Sequence, residues 1–261
     1  MAENTNERKK SKKGIRLVTL VFILGFCVTA YVWLILNLSK QHYNYDYAKI
    51  ISEIKIDESQ ITEEISERVL KVRVLKETVN EEIVGWLEIE NTNITFPVVQ
   101  GSDNDYYLKH TYIKEESSDG SIFLDKDYDW SLPSSNLLIY GHNNLNGNMF
   151  QELLRYEEKN YYQEHPQIRF TTAWEDCYYD IIAVFRSRVY YQDEEDVFRY
   201  YYFIDGETEE EYRDFVDNCK ADSLYEIEET AEFGEQLLTL STCEYSQEDG
   251  RFVIVARKQR K

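Results

Sequence analysis

From residue 84 onward the apolar side chains arrive in short runs, at 85–89, 94–100, 121–124, 136–140, 167–172, 178–188, 237–242 and 252–257. Each is bounded by polar or turn-forming residues. Runs this short, rich in Val, Ile, Leu, Tyr and Phe, read as about eight strands rather than core helices. Short helical segments are expected near Tyr106-Tyr107-Leu108 and over 149–156. The chain therefore predicts one mostly-β domain of barrel type, in which about 175 residues suffice for a substantial core. The 22 tyrosines supply rings for packing and hydroxyls for groove walls.

The run Leu237-Leu238-Thr239-Leu240 leads into Ser241-Thr242-Cys243. Strand alternation puts Leu238, Leu240 and Thr242 on one face and Thr239, Ser241 and Cys243 on the other, so the thiol points away from the greasier side. Glu244 to Gly250 is a polar loop closing on Asp249-Gly250, a strong turn signal, and Arg251 opens the next run. An antiparallel hairpin would make Cys243 and Arg251 neighbours. A fixed guanidinium beside a thiol favours the thiolate or holds an oxyanion. Of the four histidines, His142 follows the run 136–141 and precedes the polar stretch 143–147. A strand end beside a loop is where catalytic side chains sit on rigid support. His42, His110 and His165 read as surface residues.

Together Tyr-Gly-His-Asn at 140–143, Thr-Leu-Ser-Thr-Cys at 239–243 and Arg-Phe-Val-Ile-Val at 251–255 resemble the three signatures of sortases, in the family's chain order. Sortases are membrane-anchored cysteine transpeptidases of Gram-positive bacteria, and the resemblance covers residues 82–257. A helix over 208–216, in an insertion before the cysteine strand, looks like class B. The resemblance implies an eight-stranded sortase-type β-barrel with short helices. It implies that Cys243 attacks the threonine carbonyl of a sorting signal shaped like Asn-Pro-x-Thr-Asn or Leu-Pro-x-Thr-Gly, giving a thioester. His142 then protonates the departing amine and deprotonates the incoming one. Arg251 steadies the oxyanion, helped by a backbone N–H near Cys243. Asn104, Leu108, Ser241 and Glu244 match positions that line the class B groove, and the insertion over 190–225 forms one wall. The partners implied are surface proteins bearing the signal and a peptidoglycan precursor or cross-bridge amine.

Residues 17–39 contain no Asp, Glu, Lys, Arg or His. As a helix they span about 35 Å, enough for a bilayer core of about 30 Å. Arg8, Lys9, Lys10, Lys12, Lys13 and Arg16 precede them and Lys40 follows, which orients the amino terminus to the cytoplasm and the domain outside. A cleaved signal peptide would have a shorter apolar core of about 7–15 residues, so an uncleaved single-pass anchor in the cell membrane is expected. Residues 1–16 hold six basic and two acidic side chains, leaving 23 basic against 47 acidic beyond them, a net of −24. Such acidity excludes nucleic acid as a partner. No run has the spacing of an EF-hand loop or a zinc site, so neither metal nor other cofactor is expected.

The expected layout is a basic tail at 1–16, an anchor at 17–39, helical segments at 40–81 and the catalytic domain at 82–261. Tyr43, Tyr47, Ile50, Ile51 and Ile54, then Ile61, Ile65 and Val69, recur at helical spacing and predict two amphipathic helices, as a stalk or packed on the barrel. Cys27 lies in the anchor. Cys219 shares a helix face with Tyr212, Phe215 and Val216 behind a Thr208/Glu211 capping box, and Cys177 shares a strand face with Tyr179, Ile181 and Ala183. Both read as packing residues, with a disulfide between them left open, and Cys243 remains as the reactive thiol. Two other classes fit the same residues: an extracellular cysteine peptidase, in which water resolves the thioester, and a membrane-tethered binding module with an inert Cys243.

Overall fold

Every one of the eight apolar runs forms a strand, and the strands close on each other. The computed structural model describes residues 65–144 and 149–260, together with 27–31, 33, 54, 56, 61 and 62. Its strands are β1 (Ile83–Glu88), β2 (Thr95–Val99), β3 (Ile122–Leu124), β4 (Asn136–Gly141), β5 (Gln167–Thr172), β6 (Asp176–Arg188), β7 (Leu237–Cys243) and β8 (Gly250–Lys258). They form a closed barrel in the order β1-β2-β3-β4-β7-β8-β6-β5. Closure leaves no sheet edge to pair with another chain. The pairs β2–β3 and β4–β7 are parallel, and the others are antiparallel.

Strands β7 and β8 are buried on both faces. Leu238, Leu240, Phe252, Ile254 and Ala256 lie on one face, and Leu237, Val253 and Val255 on the other. That second face carries its own apolar cluster, built with Leu138, Phe185, Tyr200, Tyr212, Phe215, Val216 and Cys219. Its cover comes from the segment between β6 and β7. Helix α3 (Glu209–Ala221) starts at Thr208, whose side chain accepts from Glu211 N while the Glu211 side chain accepts from Thr208 N. This is the expected capping box. Phe203 and Phe215 stack at 4.0 Å, and Tyr200 meets Phe185 edge-on at 5.9 Å. The side of β7 expected to be less greasy is thus under a second core. Its polar members are satisfied: Thr239 Oγ1 donates to Asn136 Oδ1 at 2.9 Å, and Asn136 Nδ2 donates to Phe203 O at 2.8 Å.

The register of β6 against β8 shifts between Ile181 and Ala183, with Ile181 opposite Ala256 and Ala183 opposite Val255. This bulge corrects the simple alternation. Cys177, Tyr179 and Ile181 share one face, but Ala183 turns to the other and joins the second core. Cys177 and Cys219 are buried, with no disulfide between them.

Helix α1 (Glu67–Thr78) begins later than the Ile61/Ile65/Val69 spacing predicts, because Ser66 caps it by accepting from Val69 N. It buries Val69, Leu70, Val72 and Leu75. Hydrogen bonds fix it to the barrel, among them Ser66 Oγ to Asp176 Oδ2 at 3.2 Å, Arg73 Nε to Ala173 O at 2.6 Å and Lys76 Nζ to Ile83 O at 3.2 Å. Helix α2 (Lys159–Glu164) is a short segment before β5. Over 149–156, where a helix was expected, a 3₁₀ helix spans Phe150–Glu157, and another spans Tyr106–Leu108.

The chain divides into two compact units, Met1–Ser52 and Glu53–Lys261, and the barrel belongs to the second. The basic tail and, apart from Ile54, the first amphipathic helix lie outside the described residues, as does most of the expected anchor at 17–39. Within that stretch residues 27–31 and 33 are helical and exposed. Among the described residues no helix is long and apolar enough to cross a membrane.

Asp176 ties α1 to β5. Burial pushes its carboxyl up, but hydrogen bonds from Arg169 and Thr171 outweigh that and hold it below its ordinary value. A carboxyl lowered in the folded state stabilises fully above its unfolded pKa and loses that contribution as pH falls through the lowered one. Asp176→Asn is therefore expected to flatten the acid limb of stability below about pH 4, read as denaturant midpoint against pH.

Candidate active site

Three adjacent strand ends converge on one face of the barrel. In β7, Leu237, Thr239, Ser241 and Cys243 share a face by alternation, and across the antiparallel pair Cys243 stands opposite Arg251. In β4, Leu138 and Tyr140 pair in parallel with Thr239 and Ser241, so the next position on that face, His142, falls beside Cys243. The pleat therefore brings the imidazole, thiol and guanidinium to one end of the second core.

The hairpin between β7 and β8 is tight. Asp249 takes a left-handed conformation at φ 52°, which Asp tolerates better than most residues. Gly250 must be a glycine, because a Cβ there would run into the carbonyl oxygen of Glu244. Glu244 N donates to Gly250 O at 2.9 Å. That bond occupies the backbone donor next after Cys243, the nearest one expected to help at an oxyanion. Arg251 Nη1 donates to the carbonyls of Gly250 at 2.9 Å and Asp249 at 3.2 Å, and pairs with no carboxylate among the described residues. The half-buried Cys243 opposite it is accessible.

His142 is half-buried, and its Nε2 lies 2.8 Å from Leu108 O. A carbonyl only accepts, so Nε2 carries the proton and Nδ1 is the nitrogen left to exchange one. Gly141 before it has no room for a side chain: a Cβ would sit 2.7 Å from Phe150 Cδ2. Phe150 N in turn donates to His142 O at 2.9 Å. The polar stretch after His142 is described only at 143, 144 and from 149.

The four positions expected to line a groove fall into different environments. Leu108 is half-buried and offers its carbonyl to His142. Asn104 donates from Nδ2 to Asp125 Oδ2 at 2.9 Å and accepts from Lys126 N at 2.9 Å, which anchors the loop before Leu108. Ser241 is 1% exposed and its hydroxyl meets Tyr200 OH at 2.7 Å, beneath the surface that Cys243 reaches. Glu244 accepts from Ser246 N and Ser246 Oγ, and is 9% exposed.

Other side chains to which the sequence reading gave no role join them. Asn143 donates from Nδ2 to Cys243 O at 2.9 Å, and Tyr245 OH donates to Asn143 O at 3.0 Å. Tyr140 OH donates to the buried Asp125 at 3.0 Å. Burial, with Asp125 nearby, raises the Tyr140 hydroxyl far above its ordinary value, and burial raises Tyr200 likewise. Both stay protonated at neutral pH. Asn143 stood in the quoted Tyr-Gly-His-Asn motif, whereas Tyr200 and Tyr245 carried no local signal. No group of three or more His, Cys, Asp or Glu among the described residues could hold a metal ion.

A sortase domain description matches residues 87–259. Sortase B of Listeria monocytogenes is 34% identical over 179 residues, which cover 67% of this chain and 69% of that protein. Sortase B of Staphylococcus aureus is 29% identical over 183 residues, 69% of this chain and 72% of that one. The crystal structure of sortase B from B. anthracis in complex with AAEK1 superposes with a TM-score of 0.71 at 27% identity, covering 87% of this chain and all of that one.

The three thiols at 177, 219 and 243 differ in access. Burial raises the Cys219 thiol well above its ordinary value, while Cys243 is partly exposed. Iodoacetamide is expected to modify Cys243 in the native state and to reach Cys177 and Cys219 only on unfolding, as a peptide map would show.

Proposed function

The chain belongs to the sortase family, and from that premise we propose that Cys243, His142 and Arg251 carry its reaction. It is a class B sortase, a cysteine transpeptidase acting on sorting signals. The observation that carries the residue assignment is the register: Cys243 opposite Arg251 on β8, with His142 one step beyond the parallel pair on β4.

In the first half-reaction the Cys243 thiolate adds to the threonine carbonyl carbon of the signal. The oxyanion forms against the guanidinium of Arg251. The bond from that carbon to the following amide nitrogen breaks, and the proton on His142 Nδ1 goes to the departing amine, leaving a thioester. In the second half an amine attacks the thioester, His142 Nδ1 takes its proton, and the C–S bond breaks to return the thiolate. The unpaired guanidinium is matched to this task because it is a fixed donor in a partly dry site.

The finer reading is that the signal is of the Asn-Pro-x-Thr-Asn or Leu-Pro-x-Thr-Gly kind and the acceptor a peptidoglycan precursor or cross-bridge amine. Asn104, Leu108, Ser241 and Glu244 are assigned to shape the groove. The uncharged run 17–39 is assigned as a single-pass anchor in the cell membrane, with residues 1–16 cytoplasmic and residues 82–261 outside as the catalytic domain. Its support is the asymmetry of basic residues about that run.

The test incubates residues 53–261 with quenched peptides bearing sorting signals, with and without a short amine. Cleavage with amine-linked product that disappears in Cys243→Ala is expected, and Arg251→Ala should lower kcat roughly 10²–10³-fold. Product that is only hydrolysed whatever amine is offered would make the protein a peptidase. Full activity in Cys243→Ala would overturn the residue assignment.

A further inference from the structure

The backbone ladder between β4 and β7 ends at Gly141 and Thr242, one residue short of His142 and Cys243. The two groups whose separation matters most therefore lie just past the point where this ladder ties their strands together, although Cys243 is still paired with Arg251 on β8. Side chains take over there. Thr242 Oγ1 donates to Gly141 O at 2.7 Å. One residue on, Asn143 Nδ2 donates to Cys243 O at 2.9 Å, and Tyr245 OH donates to Asn143 O at 3.0 Å. Asn143 is 5% exposed, so its bond to the Cys243 carbonyl is shielded from water.

The tie acts on both partners. On the thiol side, the peptide unit after Cys243 is gripped at each end, its carbonyl by Asn143 and its N–H by Gly250 O at 2.9 Å. On the imidazole side, Asn143 follows His142 directly and bridges to Met149, while Phe150 N holds the His142 carbonyl.

We propose that Asn143 is a positioning residue that fixes the separation of the His142 imidazole and the Cys243 thiol, with Tyr245 as its outer support. The proposal rests on the catalytic reading of those two residues. Asn143 acts through the two backbones it joins. The carbonyl of Cys243 needs a donor, so an amide serves and a carboxylate does not. Because a misplacement of about 1 Å costs roughly 10²-fold in rate, the effect belongs on the chemical step and not on peptide binding.

The experiment compares wild type, Asn143→Ala, Asn143→Asp and Tyr245→Phe in the amine-transfer assay, with Cys243→Ala as reference. Asn143→Ala is expected to lower kcat roughly 10–100-fold with KM within about twofold. It should also change the pH dependence of Cys243 alkylation, while the melting temperature stays within a few degrees. Asn143→Asp should do at least as badly, since it places acceptor against acceptor. Tyr245→Phe, which removes one hydroxyl from an exposed side chain, should lower kcat a few-fold at unchanged KM; it decides the matter if the Asn143 variants fail to fold. Wild-type kcat in Asn143→Ala would overturn the proposal, as would a loss that follows a lowered melting temperature or appears in KM alone. Wild-type kcat in Tyr245→Phe would overturn it where the Asn143 variants do not fold. An inactive wild type, or an active Cys243→Ala, would instead strike the catalytic reading itself.

Discussion

The parallel pairing of β4 with β7 is the contact on which the rest depends. It joins segments a hundred residues apart in sequence, Asn136 beside Leu237 through Gly141 beside Thr242. In a period-2 strand, a slip of one residue would send every side chain to the opposite face. His142 would then face away from Cys243. The register is pinned from both sides: Leu238 and Leu240 fill one face, while Thr239 is bonded to Asn136 on the other.

The second core explains how a strand end can be both rigid and accessible. A sheet with one bare face would leave Thr239, Ser241 and Val253 in water. Here the insertion between β6 and β7 covers them, and it is fastened to β4 through Asn136, whose N–H donates to Ile204 O at 2.9 Å and whose side chain donates to Phe203 O. Cover stops at the level of Ser241, where Tyr200 OH is bonded to its hydroxyl. Cys243, one pleat further on, emerges partly exposed. The buried polar groups are therefore part of the packing, each satisfied, and mark where the dry core gives way to the site.

The acidic composition is managed in part by shared cations. Arg257 reaches Asp180 at 3.2 Å, Glu229 at 3.4 Å and Glu235 at 3.5 Å, and Arg260 adds Glu235 at 2.6 Å. These pairs gather at the end of β8 opposite to Arg251. That separation leaves the guanidinium of Arg251 without a carboxylate to neutralise it among the described residues, in a domain with a large excess of acid.

What the sequence determined by itself is whatever nearest neighbours along the chain decide. Period-2 runs became strands at nearly the expected bounds, Thr208 and Glu211 capped α3, and the turn at Asp249-Gly250 brought Arg251 opposite Cys243 within one hairpin. These depend on backbone preference and loop length, which are local. Even locally there were misses: the cap at Ser66 delayed α1, and the bulge in β6 turned Ala183 over. Only the tertiary structure decided that His142 stands beside that hairpin, that Tyr200 lies under Ser241, and that Asn143 holds the Cys243 carbonyl. Those contacts join residues separated by tens to a hundred positions. Their register comes from barrel closure and side-chain packing, which no window of the sequence contains.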